Sequence, residues 1–138
     1  MTQIENVLYT AQVNVTGGRE GQAHSDDGRL DIKLSPPGSK GAGTNPEQLL
    51  AAGWSACFIG AMNRAASKLQ VKLPADAWLH TEIDLGTAAD EFFLQARLTV
   101  HLPGIEAETA RKVVDGAHQI CPYSKALRNN IHIELLLA

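Results

Sequence analysis

Residues 44–69, TNPEQLLAAGWSACFIGAMNRAASKL, decide the fold. Thr44-Asn45-Pro46-Glu47 has the form of a helix start: a capping residue precedes a proline whose fixed φ suits the first helical position, and an acid sits in the positive first turn. Leu50, Trp54, Cys57, Ala61, Ala65 and Leu69 keep a helical spacing, while Ala51, Ala52, Ala56, Ile59 and Ala66 make the opposite side small or apolar as well. A helix that is apolar nearly all round is buried nearly all round. One small chain cannot easily arrange that, so the pattern predicts a helix sandwiched between its own sheet and a partner subunit.

Strands flank this helix on both sides. Val7, Tyr9, Ala11, Val13 and Val15 alternate with polar residues until Gly17-Gly18 ends the run, with Arg19 following at once. Asp27-Gly28 marks a hairpin turn before the alternation Leu30, Ile32, Leu34. Residues 35–45, SPPGSKGAGTN, read as a loop, and with no Gly-Lys-Ser/Thr after them they give little support for a phosphate cradle. Beyond the helix, Leu79 to Leu85 and Phe92 to Leu102 alternate around the turn-rich 86–90. Pro103-Gly104 precedes a second helix on which Ala110, Val113, Val114, Ala117 and Cys121 share a face, and Pro122 stops it. A short helical piece and a last strand, Ile131 to Leu137, complete the order. Strands, helix, strands, helix, strand is an α+β pattern and not a βαβ alternation.

With 138 residues the chain suits a single domain over 1–138, and 44% hydrophobic against 20% charged residues excludes intrinsic disorder. A formal charge of −3 argues against nucleic-acid or anionic-membrane binding. The first residues carry no signal-peptide pattern and no apolar run could span a bilayer, so the expectation is a soluble cytoplasmic protein with no membrane or nucleic-acid partner.

Chemistry centres on the two cysteines. Cys57 alone reads as a small hydrophobe on a packed helix. Cys121, before Pro122 at a helix N-terminus, has the better local case for a stabilised thiolate. Should the two meet, a dithiol in a reducing compartment is more often catalytic or sensory than structural. A zinc site using His118, Cys121 and Cys57 is a weaker reading, with His118 expected as a surface or capping residue. A Cys-His hydrolase or acyltransferase has no supporting local motif. Arg19 and Glu47 have bland readings as a turn residue and a first-turn acid. Arg19 is also the type of group that would hold a buried thiolate, and Glu47 the type that would orient that guanidinium.

TNPEQLLAAGWSACF (44–58), HQICPYS (118–124) and VLYTAQVNVTGGREG (7–21) together resemble the OsmC-like family in its organic hydroperoxide resistance branch, over nearly the whole chain. The resemblance implies an OsmC-like α+β fold with a mostly antiparallel sheet, a long buried central helix carrying Cys57, a second helix ending at Cys121, and an interlaced homodimer. It implies a thiol-dependent peroxidase acting on organic hydroperoxides, those of fatty acids among them, in oxidative stress defence. Cys57 would be the peroxidatic cysteine and Cys121 the resolving one. Arg19 would activate the Cys57 thiolate and Glu47 would orient Arg19. No cofactor or metal would be bound, and the disulfide would be recycled by dihydrolipoamide or a lipoylated protein. Leu50 and Trp54 stand where the family often has Phe and Tyr, which bears on pocket shape and substrate preference. Because Glu47 and Cys57 lie about 15 Å apart along one helix, an arginine touching both within one chain would be stretched. Glu47 or Arg19, or both, are therefore expected from the partner subunit.

Overall fold

The computed structural model describes residues 1–138. Two compact units make up the chain, Met1–Pro46 and Glu47–Ala138.

The first unit is a three-stranded antiparallel sheet in the order β1 (Val13–Thr16), β2 (Gln22–Ser25), β3 (Asp31–Lys33). Between β1 and β2 a single 3-10 turn, Gly18–Glu20, carries Arg19. Glycine is required around it. Gly17 and Gly18 have φ of 72° and 57°, and a Cβ on Gly21 would fall 1.7 Å from the Thr16 carbonyl oxygen. The strand expected from Val7 is shorter than its alternation: only Val13–Thr16 is paired, and Val7, Tyr9 and Ala11 lie outside any strand and are exposed. A period of two suits a residue to a sheet, but a strand also needs a neighbour to accept its backbone bonds.

The second unit packs α1 (Pro46–Lys68), α2 (Ala107–Ile120) and the short α3 (Pro122–Leu127) with a sheet of β4 (Trp78–Ala88), β5 (Glu91–His101) and β6 (His132–Leu137). The β4–β5 hairpin closes through Ala89 and Asp90, both with positive φ, as a two-residue turn of the primed kind demands. Its register, Leu79↔Val100, Thr81↔Leu98 and Ile83↔Ala96, puts the inward residues side by side. Continuing across the sheet, Ala96, Leu98 and Val100 meet Ile133, Leu135 and Leu137 of β6. The core joins these to Trp54, Phe58, Ala61, Met62, Ala65 and Ala66 of α1 and to Ala110, Val113, Val114 and Ala117 of α2.

One expectation changes: β6 runs parallel to β5, so strand–helices–strand after Phe92 is a βαβ crossover inside a mainly antiparallel design. Its own chain covers α1 on one side only, as expected of one small chain. One face is buried, while Leu49, Ala52 and Ala56 are exposed and Leu50, Ala51, Cys57 and Ile59 are half-buried. No helix is long and apolar enough to cross a membrane.

Candidate active site

Cys57 projects from the middle of α1, one residue before the fully buried Phe58, so its side chain lies at the edge of the core. Cys121 is the hinge residue between α2 and α3. Its extended backbone (φ −61°, ψ 123°) ends one helix and starts the next, as a residue before proline should. Its N–H donates to the Ala117 carbonyl and its own carbonyl accepts from the Lys125 N–H, which ties the hinge to both helices. The two sulfurs, 64 positions apart in sequence, are 3.0 Å apart, and both thiols are free.

Burial is the largest influence on the Cys57 thiol and pushes its pKa up; the neighbouring Cys121 thiol pushes the same way. Acting against them, the backbone N–H of Tyr123 donates to the Cys57 sulfur. This revises the local sequence reading. An N–H at the start of α3, expected to favour a thiolate on Cys121, is aimed across the gap at Cys57.

Three contacts missed in the sequence hold α3 in place, two of them against α1 and one against α2. The Trp54 indole N–H donates to Ser124 Oγ at 3.0 Å, with both side chains fully buried. Tyr123 places its hydroxyl over Gly53, where a Cβ would come within 2.7 Å of it. Arg128, just beyond α3, donates to the His118 and Gln119 carbonyls at the end of α2. On the other side of α1, Ser55 Oγ donates to the Ala51 carbonyl and lies 2.8 Å from Thr81 Oγ1 on β4. The signal for Tyr123 and Ser124 was their place in HQICPYS, but nothing in that string names their partners on α1.

The remaining expected site residues fall as follows. Glu47 is half-buried in the first turn of α1, and Arg19 occupies the glycine-bounded turn of the first unit. Trp54 lies wholly in the core and Leu50 is half-buried on α1. His118 is not the surface or capping residue expected. Its ring lies 6.5 Å from that of Phe58, its Nδ1 is buried without a hydrogen-bond partner, and burial lowers its pKa. No three His, Cys, Asp or Glu side chains converge as a metal site would require.

A nucleophile-sized sulfur at the rim of a core with a second thiol in reach is a dithiol–disulfide centre in its geometry. The profile of the OsmC-like protein family matches residues 37–136, a stretch that crosses from the first unit into the second. The chain belongs to the OsmC-like family. Within it, the chain falls in the organic hydroperoxide resistance branch. It is 46% identical to the organic hydroperoxide resistance protein of Xanthomonas axonopodis pv. citri, with 100% of both chains covered. Among solved structures it resembles OhrB of Bacillus subtilis (TM-score 0.90, 37% identity, 96% of this chain and 100% of that one). It also resembles an organic hydroperoxide resistance protein from Elizabethkingia anophelis (TM-score 0.86, 35% identity, 96% and 97% covered). The OsmC-like α+β fold expected from the sequence is the fold observed.

Proposed function

We propose that this OsmC-like chain is a thiol-dependent peroxidase that reduces organic hydroperoxides to alcohols and serves oxidative stress defence. The observation that carries the reading is the 3.0 Å approach of the Cys57 and Cys121 sulfurs, with Cys57 the less buried of the two. The Cys57 thiolate attacks the O–O bond; one oxygen leaves as the alcohol and Cys57 becomes a sulfenic acid. Cys121 then attacks that sulfur, water leaves, and a disulfide forms. The sulfurs need close by only about 1 Å to reach bonding distance. A dihydrolipoyl group, on dihydrolipoamide or a lipoylated protein, returns the disulfide to the dithiol. Apolar surroundings favour a fatty-acid hydroperoxide over hydrogen peroxide, because the alkyl tail gains burial.

Burial opposes the thiolate, so the reading also requires a cation at Cys57. Arg19 is that cation, presented by the glycine-bounded turn, and Glu47 orients it. The site is completed in a homodimer. Ile4, Val7, Leu8 and Tyr9 expose large apolar side chains along the first unit, and Leu49 does so on α1. Such surface is the usual mark of a protein interface.

Steady-state turnover of linoleic or tert-butyl hydroperoxide against hydrogen peroxide, with dihydrolipoamide and thioredoxin as parallel reductants, tests this directly. The organic peroxides should be consumed faster, with dihydrolipoamide as the better reductant, and Cys57→Ser should abolish turnover. Undiminished consumption by Cys57→Ser would remove the reading. A stable, active monomer by sedimentation velocity would remove the homodimer.

A further inference from the structure

Two pairs link α1 to the junction of α2 and α3, and they share one spacing. Cys57 faces Cys121 and Trp54 faces Ser124, so each partner lies three residues from its neighbour, one helical turn away on either side. The second rung is the better anchored. Trp54 and Ser124 are both fully buried, and the indole N–H has the Ser124 hydroxyl as its acceptor at 3.0 Å. A donor and acceptor in that position resist separation, because water cannot replace either partner.

The geometry points to the Trp54–Ser124 hydrogen bond as the positioning device that keeps Cys121 within reach of Cys57, and so controls how often the oxidised sulfur is resolved before it is over-oxidised. This rests on the peroxidase reading above. After the first turnover Cys57 carries a sulfenic acid with two fates. Attack by the Cys121 sulfur forms the S–S bond, and the thiol proton leaves with the sulfenic hydroxyl as water. Attack by the Cys57 sulfenate on a second hydroperoxide transfers one oxygen to sulfur, giving a sulfinic acid and one alcohol. The first is intramolecular and depends on the distance set by α3; the second depends on hydroperoxide concentration. Neither Trp54 nor Ser124 hydrogen-bonds to the Cys57 sulfur, and both act through the placement of Cys121, so both are positioning residues.

The test compares the intact chain with Trp54→Phe, Ser124→Ala and the double variant Trp54→Phe/Ser124→Ala. Ser124→Ala strands a buried donor, whereas the double variant strands none and still lacks the tether; Trp54→Phe alone reports the cost of the lost indole volume. Rapid-quench mass spectrometry follows sulfenic acid, disulfide and sulfinic acid on Cys57 with increasing linoleic hydroperoxide. The expected result is disulfide closure slowed about tenfold relative to sulfenate formation, with a matching rise in sulfinic acid per turnover, in all three variants. Ser124→Thr, which keeps the hydroxyl, should restore the ratio. An unchanged ratio, or a ratio restored in the double variant together with its stability, would overturn the inference. A second arm oxidises each reduced protein with diamide, which closes a dithiol without any peroxide. Slow closure there in the three variants supports the tether even should the intact chain consume no hydroperoxide, an outcome that would defeat the peroxidase reading alone.

Discussion

The hydroxyl of Tyr123 occupies the space a side chain on Gly53 would need: a Cβ there would sit 2.7 Å from Tyr123 Oη and 3.2 Å from Cζ. Gly53 lies one turn before Cys57 on α1, and the Tyr123 N–H donates to the Cys57 sulfur. The glycine in mid-helix is thus a notch that lets one residue of α3 reach the thiol with its backbone while its ring covers the preceding turn.

Gly53→Ala should therefore displace the ring without unfolding the helix. Tyr123 is 40% exposed and its tip can swing outward. Alanine also favours a helix over glycine by up to about 1 kcal/mol. We expect the melting temperature to hold or rise, while the ratio of Cys57 alkylation by a bulky maleimide to that by iodoacetamide rises severalfold. An unchanged ratio would mean the ring does not screen the sulfur.

The pH profile of Cys57 should depend on Arg19. Burial raises the thiol's pKa, and removing a cation leaves only the Tyr123 N–H to oppose that push. Iodoacetamide alkylation against pH should show its midpoint moving upward in Arg19→Ala, and less so in Arg19→Lys, which keeps the charge but loses the planar fork. Glu47→Gln should shift it in the same direction by a smaller amount. A coincident midpoint for intact protein and Arg19→Ala would remove Arg19 from the mechanism.

On the outer face of the second sheet, Arg97 bonds both oxygens of Asp84 (2.7 and 3.1 Å) and both of Glu82 (3.2 Å each). Hydrogen bonds from Arg97 and then Gln95 lower the Asp84 pKa from 3.8 to about 2. A carboxyl depressed in the folded state stabilises the protein above its unfolded value and loses that contribution as pH falls through the folded one. Denaturant midpoints measured between pH 3.8 and about 2 should therefore fall more steeply for the intact protein than for Arg97→Met. High salt should narrow the gap, because these side chains are partly exposed. Parallel pH curves would deny the cluster a role in stability.

Leu98 is fully buried at the middle of β5, between Thr81 of β4 and Leu135 of β6. Leu98→Ala should cost about 2–5 kcal/mol in urea unfolding. The distance between the two sulfurs should survive the loss, since Trp54, Ser124 and the α2–α3 hinge are untouched. Disulfide closure by diamide at the intact rate would show this; slowed closure would mean the hinge leans on the sheet.

Much of this architecture was legible because each element carried its own local signal. The Thr44-Asn45-Pro46-Glu47 start, the pre-proline stop at Cys121 and the alternation from Leu79 to Val100 are statements about neighbours in sequence, and α1, α2, β4 and β5 appear where those signals lie. Three readings needed partners that a string does not show. Alternation at Val7 to Ala11 has no adjoining strand, the direction of β6 is set by its crossover, and the N–H at the start of α3 serves a sulfur on another helix.

Sequence alone determined which residues could form helices and strands, the glycine-bounded turn that carries Arg19, and the presence of two thiols in separate motifs. Tertiary structure decided that Cys57 and Cys121 stand 3.0 Å apart, that Trp54 bonds Ser124 beside them, and that the Tyr123 ring fills the Gly53 notch. Propensity and periodicity act over a few residues along the chain, whereas the distance between sulfurs 64 positions apart is set by how helices pack on a shared core.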